Sequence, residues 1–423
     1  MINILKKYFC KAFSKPYVII NILLSIIFVT SCNRTAPKKF YIWTNLRPVE
    51  RKIIQEKLDQ FGKLYPEYRF VLLFYQTEEL RTNYIISALA GKGPELILGP
   101  SDNIGPLSDI GVIRPMEDLF QPSFLDSFIH DPFPANTWFR GHLYQVADRI
   151  GNHLTLVYNK DLLPDPPRSI SELITMGKGL TKDLTGNGIP DTYALAWNYT
   201  EPYFVIPFIG GYGGWVLDSL NNPTLNTEAV VKAAKLIYNL ANKYKIIPKE
   251  CDYETANALF LDKKVAMIIN GPWSWGTYIK AGINLGLARI PRINETDLWP
   301  TPMVSPIGYS MNINLKGKKL KLAVKLIKVL TSDAFELNLA KRFILIPSRK
   351  NALKDSVLHR NKLWQESYDQ LSVGRLMPVV TQMRWIWDAM RPAYQGIFTG
   401  QYTAEDAAVE MQKLAEKLIS ENR

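Results

Sequence analysis

Cysteine and histidine are scarce in this chain, three and four among 423 residues. Cys10 and Cys32 fall near the N-terminus and Cys251 stands alone deep in the chain, so a disulfide-stapled scaffold is excluded. His130, His142, His153 and His359 are scattered with no metal-ligand spacing. The His-Glu-x-x-His, Gly-x-Ser-x-Gly and Gly-x-x-x-x-Gly-Lys sequences are also missing, which removes the usual signatures of zinc proteases, serine hydrolases and phosphate loops. There is no internal repeat and no low-complexity linker. The net charge is +12, yet no compact basic run occurs beyond Lys316-Gly317-Lys318-Lys319-Leu320-Lys321 at the approach to a helix. Basic residues in such a place form a solvated face, so the charge points to solubility and a general attraction to anionic membranes, with no nucleic acid as partner.

Long apolar runs are missing too. The longest near the N-terminus, Val18 to Val29, is interrupted by Asn21 and Ser25 and falls short of the roughly 20 residues that a transmembrane helix needs. Ahead of it stand Lys6, Lys7, Lys11 and Lys15 with no acidic residue, and behind it Thr30-Ser31-Cys32. A basic segment, a short apolar segment and small residues before a cut describe an export signal over residues 1–31. Val29-Thr30-Ser31-Cys32 resembles the bacterial lipobox, which implies cleavage before Cys32 and lipidation of its thiol. Acyl chains of that kind hold a folded domain at a bilayer while it stays in water. Removing the leader leaves a net charge of +8 and a chain large enough to be stable without disulfides. That size predicts two domains.

What is present reads as alternating strands and helices. Phe40–Trp43 is a short buried strand. Ile53, Ile54, Leu58, Phe61 and Leu64 then recur at helical spacing between Pro48 and Pro66. Phe70–Phe74 and Leu96–Leu98 read as further strands around a helix over Leu80–Leu89, a βαβαβ order that implies a parallel sheet with helices on its faces. Later come a helix from Thr227 to about Tyr244, a strand over Val265–Ile269 and a helix over Lys318–Leu330. A last helix through Ile419 opens at Thr403, with Asp406 in the capping-box position usually held by Glu or Gln.

In open α/β sheets ligands bind beyond the carboxyl ends of the strands. Gly99-Pro100-Ser101-Asp102, Glu201-Pro202-Tyr203 and Gly271-Pro272-Trp273-Ser274-Trp275 are placed there. Aromatic faces that stack on the CH-rich side of a sugar, with carboxylates for its hydroxyls, are the inventory of a carbohydrate cleft. Trp273 and Trp275 follow a Gly-Pro turn in alternation, so one is expected to face the cleft and the other the core.

At these residues the sequence resembles the maltose/maltodextrin-binding branch of the family 1 extracellular solute-binding proteins. The resemblance runs from about Tyr41 to the C-terminus. It is carried by Gly93-Pro94-Glu95-Leu96-Ile97, by Val157-Tyr158-Asn159-Lys160-Asp161-Leu162-Leu163-Pro164 and by Ile269-Asn270-Gly271-Pro272-Trp273, with Met377-Pro378, Gln382-Met383, Trp387 and Arg391 near the end. It implies a two-lobed α/β protein of the type II periplasmic binding fold, whose cleft closes on a ligand that it then presents to an ABC permease. The implied lobes are 32–150 with 308–357, and 151–307 with 358–423. The chain is expected to cross between them near Ile150–Asn152, Val304–Gly308 and Ser356–Lys362.

The implied ligand is an oligosaccharide and the implied state a monomer, with no cofactor and no catalysis. Trp273, Trp387 and Tyr203 match stacking positions, Glu201 and Asp102 match hydroxyl-binding carboxylates on opposite lobes, and Arg391 matches a residue that braces the site. The sequence departs from the family at Gly99, where a stacking Trp is usual, at Arg47-Pro48 in place of an Asp-Lys pair, at Asn152 in place of Glu, and at Asn103 in place of Arg. Arg47 and Asn152 are therefore site residues of altered chemistry, and Trp43 and Trp215 are candidate replacement platforms against a stronger expectation of core packing.

Asp183-Leu184-Thr185-Gly186-Asn187-Gly188-Ile189-Pro190-Asp191 resembles the front of an EF-hand loop, with oxygens at Asp183, Thr185, Asn187 and Asp191. Its twelfth position is Ala194, so a plain Gly/Asn/Asp turn is the stronger reading. Three alternatives to a sugar importer stay open: a binding protein for another solute, a sensory receptor, and an exported glycoside hydrolase, for which Glu201 and Asp102 would have to act as an opposed pair.

Overall fold

The first strand, β1 (Lys38–Thr44), alternates: Phe40, Ile42 and Thr44 point into the core while Lys38 and Lys39 stay in water. The computed structural model describes residues 36–422, so the leader and Cys32 lie outside the described residues. β1 pairs in parallel with β2 (Tyr68–Phe74) and β3 (Leu96–Pro100), placing Phe40 beside Phe70 and Ile42 beside Leu96. The helix Pro48–Gly62 makes the first crossover, with Pro48 in its first turn and Ile54, Leu58 and Phe61 buried against the sheet. Thr77–Leu89 makes the second.

The three strands of the βαβαβ unit pair in parallel as expected, but beyond β3 the sheet becomes mixed. Next to it lies β11 (Ile307–Met311), which runs antiparallel both to β3 and to β5 (His142–Arg149), and β4 (Thr137–Phe139) closes the edge. The six-stranded order is β2-β1-β3-β11-β5-β4. A strand returning from far down the chain leaves no local spacing signal, so βαβ reasoning could not place it.

The second sheet has the order β7-β8-β6-β9 and is also mixed: β7 (Tyr193–Ala196) runs parallel to β8 (Val265–Asn270), whereas β6 (Thr155–Asn159) is antiparallel to β8 and to β9 (Leu285–Ala288). β8 and β6 are buried along their whole length, which fits the apolar run that marks Val265–Ile269 as a strand. The two lobes are built on these two sheets. The chain leaves the first at Arg149 and enters the second at Thr155, and it returns between β9 and β11. A small parallel pair, β10 (Met303–Val304) with β12 (Arg375–Leu376), sits on the connecting segments.

The last helices complete the second lobe. Gln382–Phe398 carries Pro392 in its interior and packs on Ala404–Glu421 and on the helix Glu228–Asn242. Thr403 caps the final helix as expected, accepting from the Asp406 amide; the shorter Asp406 side chain meets the Thr403 hydroxyl at 2.7 Å. Cys251 is buried, and burial pushes its thiol up to about 12, which keeps it protonated.

The Asp183 loop closes on itself. Asp183 accepts the backbone N–H groups of Gly186, Asn187 and Gly188, and Asp191 those of Leu184 and Thr185. These bonds hold the Asp183 carboxyl below the usual range. Among the described residues no three His, Cys, Asp or Glu side chains come together as a metal would require.

Candidate ligand cleft

A cavity of about 330 Å³ opens between the lobes, a volume at the small end of the range for small-molecule sites. Arg47, Asp102, Asn152, Glu201, Tyr203, Trp273, Trp387 and Arg391 all line it. Each comes from a segment that follows a strand or from a helix facing the gap.

Trp273 and Trp275 illustrate how the local fold sorts neighbours. Gly271-Pro272 is the entry of the helix Pro272–Lys280, with Pro272 in the first turn, so the two tryptophans stand two helical positions apart and project from different faces. Trp275 is fully buried beside His153, their rings edge to face at 6.3 Å. Trp273 is half-buried on the cleft wall and its ring lies over Gly271, where a Cβ would come within 2.1 Å of it. Its indole N–H donates to the Tyr253 hydroxyl at 3.1 Å.

Tyr203 stands between the tryptophans, with its ring centroid 6.5 Å from Trp273 and 6.3 Å from Trp387, neither pair in face-to-face contact. The three rings form a stepped apolar wall. Glu201, two residues before Tyr203, is held by both donors of the Arg391 fork, Nε to Oε2 at 3.1 Å and Nη2 to Oε1 at 2.9 Å. Arg391 is one helical turn beyond Trp387 and follows Asp388, 3.7 Å from its Nη1. Its hydrogen bonds to Glu201 raise its pKa further above the ordinary arginine value. Glu201 is thus a bridged acceptor whose oxygens can share a further donor.

Asp102 faces this wall from the opposite lobe, at the carboxyl end of β3. Burial dominates its ionisation and pushes the carboxyl up to about 6, with the nearby Glu78 adding to the effect and Arg81 opposing it. Asn152 lies on the connection between β5 and β6 in an unusual backbone conformation, φ 21°, next to Gly151 at φ 127°. Its amide donates to the Ser305 hydroxyl at 3.1 Å, which ties two of the crossing segments together.

Two sequence candidates fall elsewhere. Trp43 packs against Tyr75 at 4.7 Å, and Trp215 is 7 % exposed beneath the Arg375 guanidinium, so both serve the packing of their own lobes and neither lines the cleft. Among the cleft-lining residues that sequence reasoning did not single out are Asn45, Gln76, Glu78 and Tyr253, while Met377 entered only as part of the family motif. Asn45 follows β1 and Gln76 follows β2, so the strand-end rule that located Asp102 would have located them too. Tyr253 carries no such signal: it opens the short helix Tyr253–Leu261 after the Asp252 cap.

Comparison with known proteins gives one direction. The family described as bacterial extracellular solute-binding protein matches residues 57–365. A maltotriose-binding protein of Pyrococcus abyssi is 24% identical over 387 residues, covering 90% of this chain and 82% of that protein. A galactooligosaccharide-binding protein of Bacillus subtilis is 25% identical, covering 81% and 80%. Among solved structures, the maltose/maltodextrin-binding domain of Bdellovibrio bacteriovorus bound to maltotriose is 40% identical with a TM-score of 0.86, covering 90% of this chain and all of that one. The maltotriose-binding protein of Thermus thermophilus, at 23% identity and a TM-score of 0.81, has the same fold.

Proposed function

Because the chain belongs to the bacterial extracellular solute-binding proteins, on the branch of the maltose and maltodextrin binders, we propose that it captures a short maltooligosaccharide between its lobes and delivers it to an ABC permease. One observation carries this reading: Trp273, Tyr203 and Trp387 form a stepped row of aromatic faces on one wall, with the Asp102 carboxylate opposite. A glucose ring offers one CH-rich face to such a wall and equatorial hydroxyls to its rim. Glu201 with Arg391 supplies a paired acceptor and donor for those hydroxyls, and hydrogen bonds to charged groups are the stronger kind. Arg47 and Asn152 line the same space with donors, where carboxylates are usual in the family.

The lobes in this reading are 32–150 with 308–357 and 151–307 with 358–423. They move as rigid bodies about the crossings near Ile150–Asn152, Val304–Gly308 and Ser356–Lys362. The Tyr203 hydroxyl, bonded to the Asn152 carbonyl, supports coupling between the ligand wall and the first crossing. The protein works as an exported lipoprotein anchored through Cys32, as a monomer and without catalysis. A hydrolase would need two free carboxyl groups, and the engagement of both Glu201 oxygens by Arg391 favours binding over acid-base chemistry.

Isothermal titration of the mature protein with maltose, maltotriose, maltotetraose and a galactooligosaccharide tests the ligand class. Binding of the glucose series with scattering evidence of compaction is expected; binding of the galactose series alone would overturn it. For the anchor, Cys32→Ala should release the protein from the membrane fraction, and retention with normal processing would count against lipidation.

A further inference from the structure

Arg47 and Tyr253 belong to different lobes. Arg47 precedes the helix Pro48–Gly62 at the end of the β1 connection, in the lobe of the six-stranded sheet. Tyr253 is the first residue of the helix Tyr253–Leu261, which packs on β8 in the other lobe. Yet the Arg47 guanidinium carbon lies 5.0 Å from the centre of the Tyr253 ring, within the range of a cation–π contact. Both side chains are half-buried and both line the cleft.

The position of this pair along the cleft gives it a role. Tyr253 accepts from the Trp273 indole at 3.1 Å, so the order along the wall is Tyr253, Trp273, Tyr203, Trp387, with Arg47 facing Tyr253 from the opposite lobe. The pair therefore spans the gap at the Trp273 end, beyond the last stacking platform. The opposite end is bridged differently, by the ion pair between Arg384 and Glu78 at 3.0 Å, whose Glu78 side chain is 61 % exposed and open to screening by salt. A guanidinium lying over a ring is a flat, space-filling closure. An arginine also keeps its charge at any working pH, so the contact does not depend on titration.

We propose that Arg47 and Tyr253 form a clasp between the lobes that closes the Trp273 end of the cleft and limits the length of the oligosaccharide admitted there. The chain-length limit rests on the reading of the cleft as a maltooligosaccharide site; the clasp itself does not. A sugar chain lying along the wall ends at the clasp, and a longer one must either project past Trp387 or break the contact.

Titration of the full mature chain with maltose, maltotriose, maltotetraose and maltohexaose, in wild type, Arg47→Ala, Tyr253→Ala and Tyr253→Phe, tests the limit. Wild type is expected to prefer the short sugars. Arg47→Ala and Tyr253→Ala are expected to shift the ratio of maltohexaose to maltotriose affinity about tenfold towards the longer sugar. Tyr253→Phe keeps the ring and should leave that ratio unchanged, while weakening all lengths alike through loss of the Trp273 bond. A ratio unchanged within twofold in both alanine variants overturns the limit. Small-angle scattering of the ligand-free proteins tests the clasp independently of any sugar. Arg47→Ala should shift the population towards a more open form with a larger radius of gyration, and an identical profile overturns the clasp. A wild type that binds none of these sugars would refute the proposed ligand class and, with it, the length limit, while the scattering result still decides whether the lobes are clasped.

Discussion

Tyr203 donates its hydroxyl proton to the carbonyl oxygen of Asn152 at 2.7 Å, so the central ring of the aromatic wall is bonded to a segment that crosses between the lobes. Asn152 in turn holds Ser305 on another crossing. A ligand that shifts the ring pulls on the hinge, and the hinge geometry fixes where the ring can stand. Tyr203→Phe keeps the stacking face and loses this tether. We expect a modest fall in stability, about 0.5–1.5 kcal/mol by thermal unfolding, together with weaker sugar binding. Unchanged binding and unchanged melting would show that the bond transmits nothing.

The two tryptophans of the Pro272–Lys280 helix separate binding from folding. Trp275 is fully buried, and Trp275→Ala should cost about 3–5 kcal/mol of stability. Trp273→Ala should spare the fold and weaken binding by at least about 2 kcal/mol, roughly thirtyfold in Kd, as should Trp387→Ala. Denaturant titration and calorimetry on the same preparations read both quantities. Wild-type affinity in both Trp273→Ala and Trp387→Ala would remove them from the site.

Gly271 sets the pose of Trp273 by having no side chain. Its backbone, at φ −112° and ψ 179°, is extended and open to any residue, so the demand for glycine is purely steric. In Gly271→Ala the new methyl group would collide with the indole and displace it. The expected result is a loss of affinity close to that of Trp273→Ala with near-native circular dichroism. A Gly271→Ala protein that binds normally would mean that the ring's position over the glycine is not the binding pose.

Asp102 predicts opposite effects on stability and binding. Its folded-state pKa is raised to about 6, mainly by burial. A carboxyl raised in the fold contributes stability below its unfolded value near 4, and that contribution is lost as pH rises through 6. Asp102 is half-buried at the cleft wall, so at neutral pH its charge is a cost, and Asp102→Asn should raise the melting temperature of the ligand-free protein, by on the order of 1 kcal/mol in stability. As an acceptor for sugar hydroxyls the ionised form is the useful one. Affinity should therefore fall as pH drops from 7 to 5 in wild type and stay flat in Asp102→Asn, which titration at stepped pH would measure.

Much of this was legible in the sequence, for identifiable reasons. The first three strands and their crossovers are local, and Phe40, Ile42, Ile54 and Leu58 announce them by spacing alone. Asp102, Glu201, Tyr203 and Trp273 were placed by a topological rule and Arg47, Asn152, Trp387 and Arg391 by the family resemblance, and all eight line one cavity. The antiparallel insertion of β11 depends on partners far along the chain, with Tyr309 beside Leu98, and no window of sequence contains both. The helix Gln382–Phe398 was obscured by Pro392, which ordinarily argues against a helix interior. Arg47 was read as a departure in hydroxyl chemistry, whereas its neighbour in space is the Tyr253 ring. Contacts across a gap between two lobes have no sequence period at all.

The placement of β11 also has a consequence for how the molecule is made. This strand lies between β3 and β5, inside the larger sheet, but its residues, Ile307–Met311, come after the whole smaller sheet. A chain emerging N-terminus first cannot finish its first lobe when the first 150 residues are out. Until residue 311 arrives, β3 and β5 each present an unpaired edge, and the long-range closure that joins them is slow. The larger sheet is therefore completed only after most of the chain has been synthesised, which puts its closure among the last long-range contacts to form.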